Sequence, residues 1–466
     1  MTARGRAPDV SPRRPRVRRR AALFAALGIL LILAVNPVTL RIWWFRLPYV
    51  PPGASLRVWC WDVAVVIFTI VAIAASRARA NRDRVEPTPR LGVRVAAGVL
   101  AVLVPLLLAE GILRIRPGDA FSESLRKELR WRERHTPATV LVSDPIHVFS
   151  RELGWELRPA LRTDDTTSNS EGFRGSREYT EERPAGVRRV VCVGDSFMFG
   201  ERLRDEQTVP ARLEAELNGS GVEQWEVLNL AVEGYGTDQQ WLRLAQKGFR
   251  HHPDFVVLGF FEEDLERNVL SFRDYAKPFF ALQDGRLTLQ GVPVPSPEEL
   301  LARPPTFPSI HLVSFAGTLF KAFRLSFSIG DLADTDAGRV TLAILDAMHA
   351  GAAGHGATFV LMSIPRPILP RGSDTERLLA GWARRTNTPF VNLRAAYLTL
   401  PSDQRERLYR GHWTPFGAGV TARLLAERIR ALASARRCGI GSWATVFGTL
   451  CHRDGVSDGV IGAGGP

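Results

Sequence analysis

Two short stretches carry residue types that together could perform acyl transfer. Gly194-Asp195-Ser196, followed by Phe197 and Gly200, ends an apolar, β-branched run. That spacing puts a hydroxyl at a tight turn beside the start of a helix, near backbone N–H donors. The same tripeptide can equally be a helix cap, where Ser or Asp accepts from the backbone. His412 stands in Gly411-His-Trp-Thr-Pro415. A histidine held just ahead of a helix can be the general base that a serine nucleophile needs. Of the nine histidines, His412 has the most suitable surroundings.

A third stretch, Asn229-Leu-Ala-Val-Glu-Gly234-Tyr-Gly236-Thr, follows another apolar run. A glycine there can bring its N–H against a ligand without a side chain in the way, or can simply make a left-handed turn. Activity requires that these stretches meet, which depends on the elements that carry them.

From Arg188 onward, short β-branched runs alternate with helical patterns: RRVVCV and then Thr208 to Leu217, WEVLNLA and then Thr237 to Phe249, DFVVLGF, and later ATFVLMSI and TPFVNL. That alternation predicts a parallel sheet with helices on both faces, whose ligands gather at the carboxyl ends of the strands. The last helix has a clear start, with Thr414 as N-cap and Pro415 at the first position, and then a stripe of Val420, Leu424, Leu425 and Ile429. Between the third and fourth strands an excursion from about Leu265 to Arg339 is too long for an ordinary connection and is expected to cap the site. Within it, Phe280 to Leu289 alternates around Asp284-Gly285, predicting a β-hairpin lid. Residues 116–187 have no clean period, although Trp155, Pro159 and the turn-like Asn169 to Arg174 suggest irregular, partly packed structure.

The first quarter is a different physical regime. Ala21 to Leu40, Val58 to Ser76 and Val95 to Ile115 each approach the ~20 apolar residues that cross a bilayer. Residues 1–20 carry eight arginines against Asp9, and residues 77–94 carry six against Asp83 and Glu86. Both segments are therefore expected in the cytoplasm, and a multi-pass anchor with a cytoplasmic N-terminus puts the large C-terminal domain outside. Trp43, Trp44, Tyr49, Trp59 and Trp61 supply an aromatic belt at the outer interface. These two segments account for most of the +13 net charge, which excludes a nucleic-acid surface on the outer domain. Cys60 lies in an apolar run and Cys192 in a strand, so only Cys438 and Cys451, in the Gly-rich tail 436–466, could pair. The expected divisions are a basic tail 1–20, an anchor 21–115, a lead-in 116–187, a catalytic domain 188–435 and that tail.

The blocks VVCVGDSFMFGERLRDEQTVPARLEAEL, NLAVEGYGTDQQ, VVLGFFEEDLERN and GHWTPFGAG, in this order, resemble the SGNH or GDSL-type hydrolase superfamily across roughly Arg188 to Leu432. The resemblance implies a three-layer α/β/α, flavodoxin-like domain with a parallel sheet, requiring no metal or cofactor. It implies Ser196 as nucleophile, His412 as base, and the backbone N–H groups of Ser196 and Gly234 as oxyanion donors. Asp195 would shape the turn. Two departures stand out. Glu263-Asp264 occupies the place where the family offers an Asn donor, and Tyr409 and Arg410 stand where an Asp normally orients the histidine. Asp264, Asp403, Glu406 or a backbone carbonyl are the candidates to replace that acid.

The function expected is a membrane-anchored esterase acting on small, chiefly acetyl, esters through an acyl-serine. An O-acyltransferase modifying a cell-envelope or exported glycan shares the first half-reaction, and a lapsed glycan-binding protein is the reading from a different class. Other cell-envelope proteins are the expected partners. Three helices with no run of intramembrane charges, only Asp62 and Glu110 near their ends, offer little for a transport path.

Overall fold

A computed structural model describes residues 122–135, 145–219, 221, 223–305, 332–365 and 372–437, with a short helical stretch at 99 and 103–111 and three positions between 313 and 317. The first two apolar runs, and Cys60, Cys438 and Cys451, lie outside the described residues. No described helix is long and apolar enough to cross a membrane. The chain divides into two compact units, residues 1–121 with 308–329 and residues 122–307 with 330–466. The second unit carries the described strands.

That unit opens with α1 (Glu123–Arg134) and an antiparallel hairpin of β1 (His147–Ser150) and β2 (Gly154–Leu157). This hairpin lies in the segment whose sequence shows no period, because each strand is only four residues long. Next comes the sheet: β3 (Val187–Gly194), α2 (Ser196–Phe199), α3 (Val209–Asn218), β4 (Gln224–Asn229), α4 (Thr237–Gln246), β5 (Phe255–Phe261) and α5 (Asp264–Arg267). The excursion holds the hairpin β6 (Phe279–Gln283) and β7 (Arg286–Gln290), then α6 (Pro297–Ala302). The chain returns through α7 (Asp336–Gly354), β8 (Thr358–Ile364), α8 (Asp374–Arg385), β9 (Phe390–Asn392), α9 (Leu393–Leu398), α10 (Ser402–Glu406), the two-residue strands β10 (Tyr409–Arg410) and β11 (His412–Trp413), and α11 (Pro415–Arg437).

The five parallel strands run β4-β3-β5-β8-β9, the 2-1-3-4-5 order of flavodoxin-like sheets. The order reverses between β3 and β5, so a crevice opens at their carboxyl ends. Both faces of the sheet are covered, which is why its strands are apolar without alternation. Val190 and Cys192 of β3 pack with Leu213 and Leu217 of α3 and with Leu425 and Ile429 of α11. Val191 and Val193, pointing the other way, pack with Leu244 of α4, Ile344 and Met348 of α7, and Trp382 of α8. The start of α11 is as its sequence predicts, with Pro415 first and the Thr414 hydroxyl accepting from Gly417 N at 3.1 Å.

The hairpin forms around Asp284-Gly285 at the expected register, Gln283 opposite Arg286. It is not a lid. Phe280 is buried in the same cluster as Phe260, Val340 and Ile344, so the hairpin extends the α4/α7 layer. An alternating strand has one apolar face to bury, and the nearest apolar surface is that layer.

Candidate active site

β3 ends at the crevice, and the turn after it is built to present one hydroxyl. Asp195, extended at φ −96°, caps the four-residue α2 by accepting from Phe197 N at 3.0 Å. Ser196 is the first helical residue, almost fully buried at 8% exposure. Gly200 reverses the chain in the left-handed region and lets Glu201 N donate back to Ser196 O at 2.9 Å. Met198 lies flat on the sheet because two paired glycines, Gly194 of β3 and Gly259 of β5, make room for it. A Cβ at Gly194 would sit 2.5 Å from Met198 Cγ, and one at Gly259 closer still.

His412 arrives from the opposite end of the chain on the β10–β11 ribbon, where Arg410 pairs with His412 across Gly411. Its ring packs on Phe197 with centroids 4.9 Å apart, and Nε2 lies 2.9 Å from Ser196 Oγ. The structure thus brings the sequence-predicted nucleophile and base into hydrogen-bond contact. Nδ1, the nitrogen that an acid partner would hold, is buried and has no hydrogen-bond partner among the described residues. The carboxylate that does reach the ring is Glu201, whose Oε2 is 3.2 Å from Nε2. Sequence reasoning missed it. The signal was present in Ser-Phe-Met-Phe-Gly-Glu, since one helical turn closed by a left-handed glycine returns the next residue to the nucleophile.

Asp264 does not take that place. It is fully buried, with Oδ2 accepting from Gln240 Nε2 at 3.1 Å and Oδ1 3.1 Å from Arg267 Nη1. Burial pushes its carboxyl up to about 8 against the pull of Arg267, with Asp195 adding to the rise. Glu263 lies at the crevice, but its Oε2 accepts from Arg267 Nη2 at 2.9 Å. Arg267 therefore gathers three carboxylates, since Nη1 also donates to Asp195 Oδ2 at 2.8 Å. These charges hold its guanidinium above its usual range even though burial alone works the other way.

Gly234, in the loop after β4, lies on the crevice wall with φ +80°. Its loop is tied down by Trp155 of β2, whose Nε1 donates to Glu233 O at 2.9 Å. The same lead-in segment clamps the turn that carries Ser196. Arg174 donates to Phe199 O at 2.9 Å, to Gly200 O at 2.7 Å and to Asp205 at 3.0 Å. Its own N–H bonds Asn229 O at the end of β4, at 3.0 Å.

Ser196, His412, Glu201, Gly234, Glu263 and Arg267 all line one crevice of about 880 Å³. Asp195 and Asp264 are fully buried and do not line it. The arrangement can deprotonate a serine hydroxyl onto an imidazole beside a backbone loop able to donate N–H groups to an oxyanion.

No protein-family model and no curated protein matches the chain. Solved structures do overlap it. TesA is 14% identical over 53% of this chain and 99% of its own, with a TM-score of 0.32. The lipase/acylhydrolase from Enterococcus faecalis is 15% identical over 52% and 95%, with a TM-score of 0.31. An acetyl-xylooligosaccharide esterase from Geobacillus Stearmophilus is 16% identical over 52% and 94%, with a TM-score of 0.30.

Proposed function

We propose that the chain is a serine esterase that cleaves small acyl esters, chiefly acetyl esters on a carbohydrate, through an acyl-Ser196 intermediate. The observation that carries this reading is the 2.9 Å contact between Ser196 Oγ and His412 Nε2 at the switch point of a doubly wound sheet. Ser196 Oγ attacks the ester carbon as its proton passes to Nε2, and the carbonyl electron pair moves onto oxygen. Collapse of that adduct expels the alkoxide, which takes the proton from Nε2. Water then repeats the sequence to free the acid.

The crevice wall supports a polar substrate. Glu201, Glu233, Glu263, Arg267, Arg273 and Asp274 line it, with Phe197, Phe261, Pro365 and Tyr409 as its apolar part. The hydroxyls of a sugar carrying a short acyl group would find partners among these charged side chains. An anchor that holds the domain outside the cytoplasm is supported by the arginine asymmetry and by the stretch 103–111, which leaves Leu107 and Leu108 exposed. A membrane-anchored enzyme of this kind would meet glycans of the cell envelope, beside other envelope proteins. Transfer of the acyl group to a sugar hydroxyl in place of water is the same chemistry with a different acceptor. The partnerless Nδ1 favours a second reading, a glycan-binding protein with lapsed catalysis.

The test is to treat wild type, Ser196→Ala and His412→Ala with a serine-reactive fluorophosphonate and with acetyl ester substrates. Wild type alone should label and turn over at full rate. Equal labelling of all three overturns the nucleophile assignment, and absence of turnover in every protein favours binding. Acyl product on an added oligosaccharide, in place of free acid, identifies transfer.

A further inference from the structure

We infer that Glu201 is a positioning residue that compensates the charge His412 acquires during acyl transfer, approaching it from the nucleophile's side. The inference rests on the serine esterase reading above. A histidine base becomes an imidazolium when it takes the serine proton, and a nearby carboxylate stabilises that cation. In this site nothing among the described residues meets Nδ1, so no compensation comes from that edge of the ring. Within ion-pair distance the described carboxylate is Glu201, with Oε2 3.2 Å from Nε2.

The position is fixed by the same turn that fixes the nucleophile. Glu201 N donates to Ser196 O at 2.9 Å, and the preceding residue, Gly200, has its carbonyl held by Arg174 at 2.7 Å. Arg202 Nε stands 3.6 Å from the other oxygen, Oε1, leaving Oε2 to the imidazole. Nucleophile and carboxylate are thus carried on one rigid turn, and the base is set between them from a distant ribbon.

The proton balance is simple. Ser196 Oγ–H gives its proton to Nε2 as the Oγ–C bond forms, and the resulting Nε2–H lies between Ser196 Oγ and Glu201 Oε2. When the C–O bond to the leaving alcohol breaks, that proton goes to the departing oxygen, and none is transferred to Glu201.

The experiment is a double-mutant cycle on the full chain with an acetyl ester substrate, read also as the rate of fluorophosphonate labelling. Glu201→Gln should lower kcat roughly 10- to 100-fold with KM little changed, the scale of a charge lost a few Å from a cation in a partly buried site. Glu201→Asp should recover part of the loss. In the His412→Ala background, Glu201→Gln should change neither turnover nor labelling, because its effect passes through the imidazole. An equal loss in both backgrounds, or wild-type kcat in Glu201→Gln, overturns the inference. Thermal midpoints separate a folding defect from a catalytic one, since Glu201 is about a third exposed. If Ser196→Ala retains activity, the esterase reading itself fails. If activity depends on Ser196 but not on Glu201, only this inference does.

Discussion

Arg267 Nη1 donates to Asp195 Oδ2 at 2.8 Å, and the other oxygen of that same carboxylate caps the helix that begins at Ser196. One buried ion pair thus joins the turn after β3 to the segment after β5. Removing the guanidinium leaves Asp195 and Asp264 buried without their cation, and breaking such a pair costs about 3–5 kcal/mol. Arg267→Met should lose stability on that scale, measured by denaturant unfolding, and should lose ester turnover with it.

Stability should also fall with pH in a window set by Asp264. Its folded carboxyl keeps a proton up to about 8, whereas an unfolded aspartate ionises near ~3.9. The folded chain binds the extra proton between these values, so this group's contribution declines as pH rises through the window and is level above it. Asp264→Asn should flatten the slope of unfolding free energy against pH between about 4 and 8. An unchanged slope would place the titration elsewhere.

The seat beneath α2 gives a packing prediction. Gly259→Ala would press a methyl against Met198 Cγ, and overpacking of this kind costs about 1–3 kcal/mol. Because Met198 carries the turn that holds Ser196, fluorophosphonate labelling should slow in parallel. Adding Met198→Ala should lower stability by less than the sum of the two single losses, a coupling visible by thermal unfolding.

Gly234→Ala tests the proposal that the Gly234 loop holds an oxyanion. The position has φ +80°, and a Cβ there would meet the Asp274 carboxylate and lie 2.8 Å from Arg273 Nη1. Left-handed geometry for alanine costs roughly 1–2 kcal/mol, and displacing an oxyanion donor lowers kcat by about 10²- to 10³-fold. Steady-state kinetics should show the loss in kcat.

Glu263→Asn should act in the opposite sense. Glu263 is more than a quarter exposed and is tied to Arg267 at 2.9 Å, so its loss should cost no more than about 1 kcal/mol. An amide there can donate where a carboxylate cannot, and kcat with an acetyl ester should rise.

The parallel sheet, its helices and the meeting of Ser196 with His412 were legible in the sequence, because buried strands and capped helices write themselves as local patterns. Arg267 was less so. It follows Glu263 by four residues and Asp264 by three, but such spacing is just as common on a solvated helix face. The orphaned Nδ1 of His412 has no sequence signature beyond the missing Asp, and the carboxylate that faces the ring comes from the other end of the domain. The hairpin between Phe279 and Gln290 was predicted at the right register and given the wrong task, since alternation says that one face is buried but not against what.

The clamp made by Trp155 and Arg174 means that the unit able to work is larger than the alternating pattern suggests. A fragment begun at Arg188 would lose only Val187 from the main sheet and would keep Ser196 and His412. It would nonetheless leave the carbonyls of Phe199 and Gly200 without their cation and the Gly234 loop without its tether. The lead-in acts as a brace that spans two loops of the crevice at once. A shortened protein, or a chimera grafting this crevice onto another sheet, has to carry the brace along with the motifs.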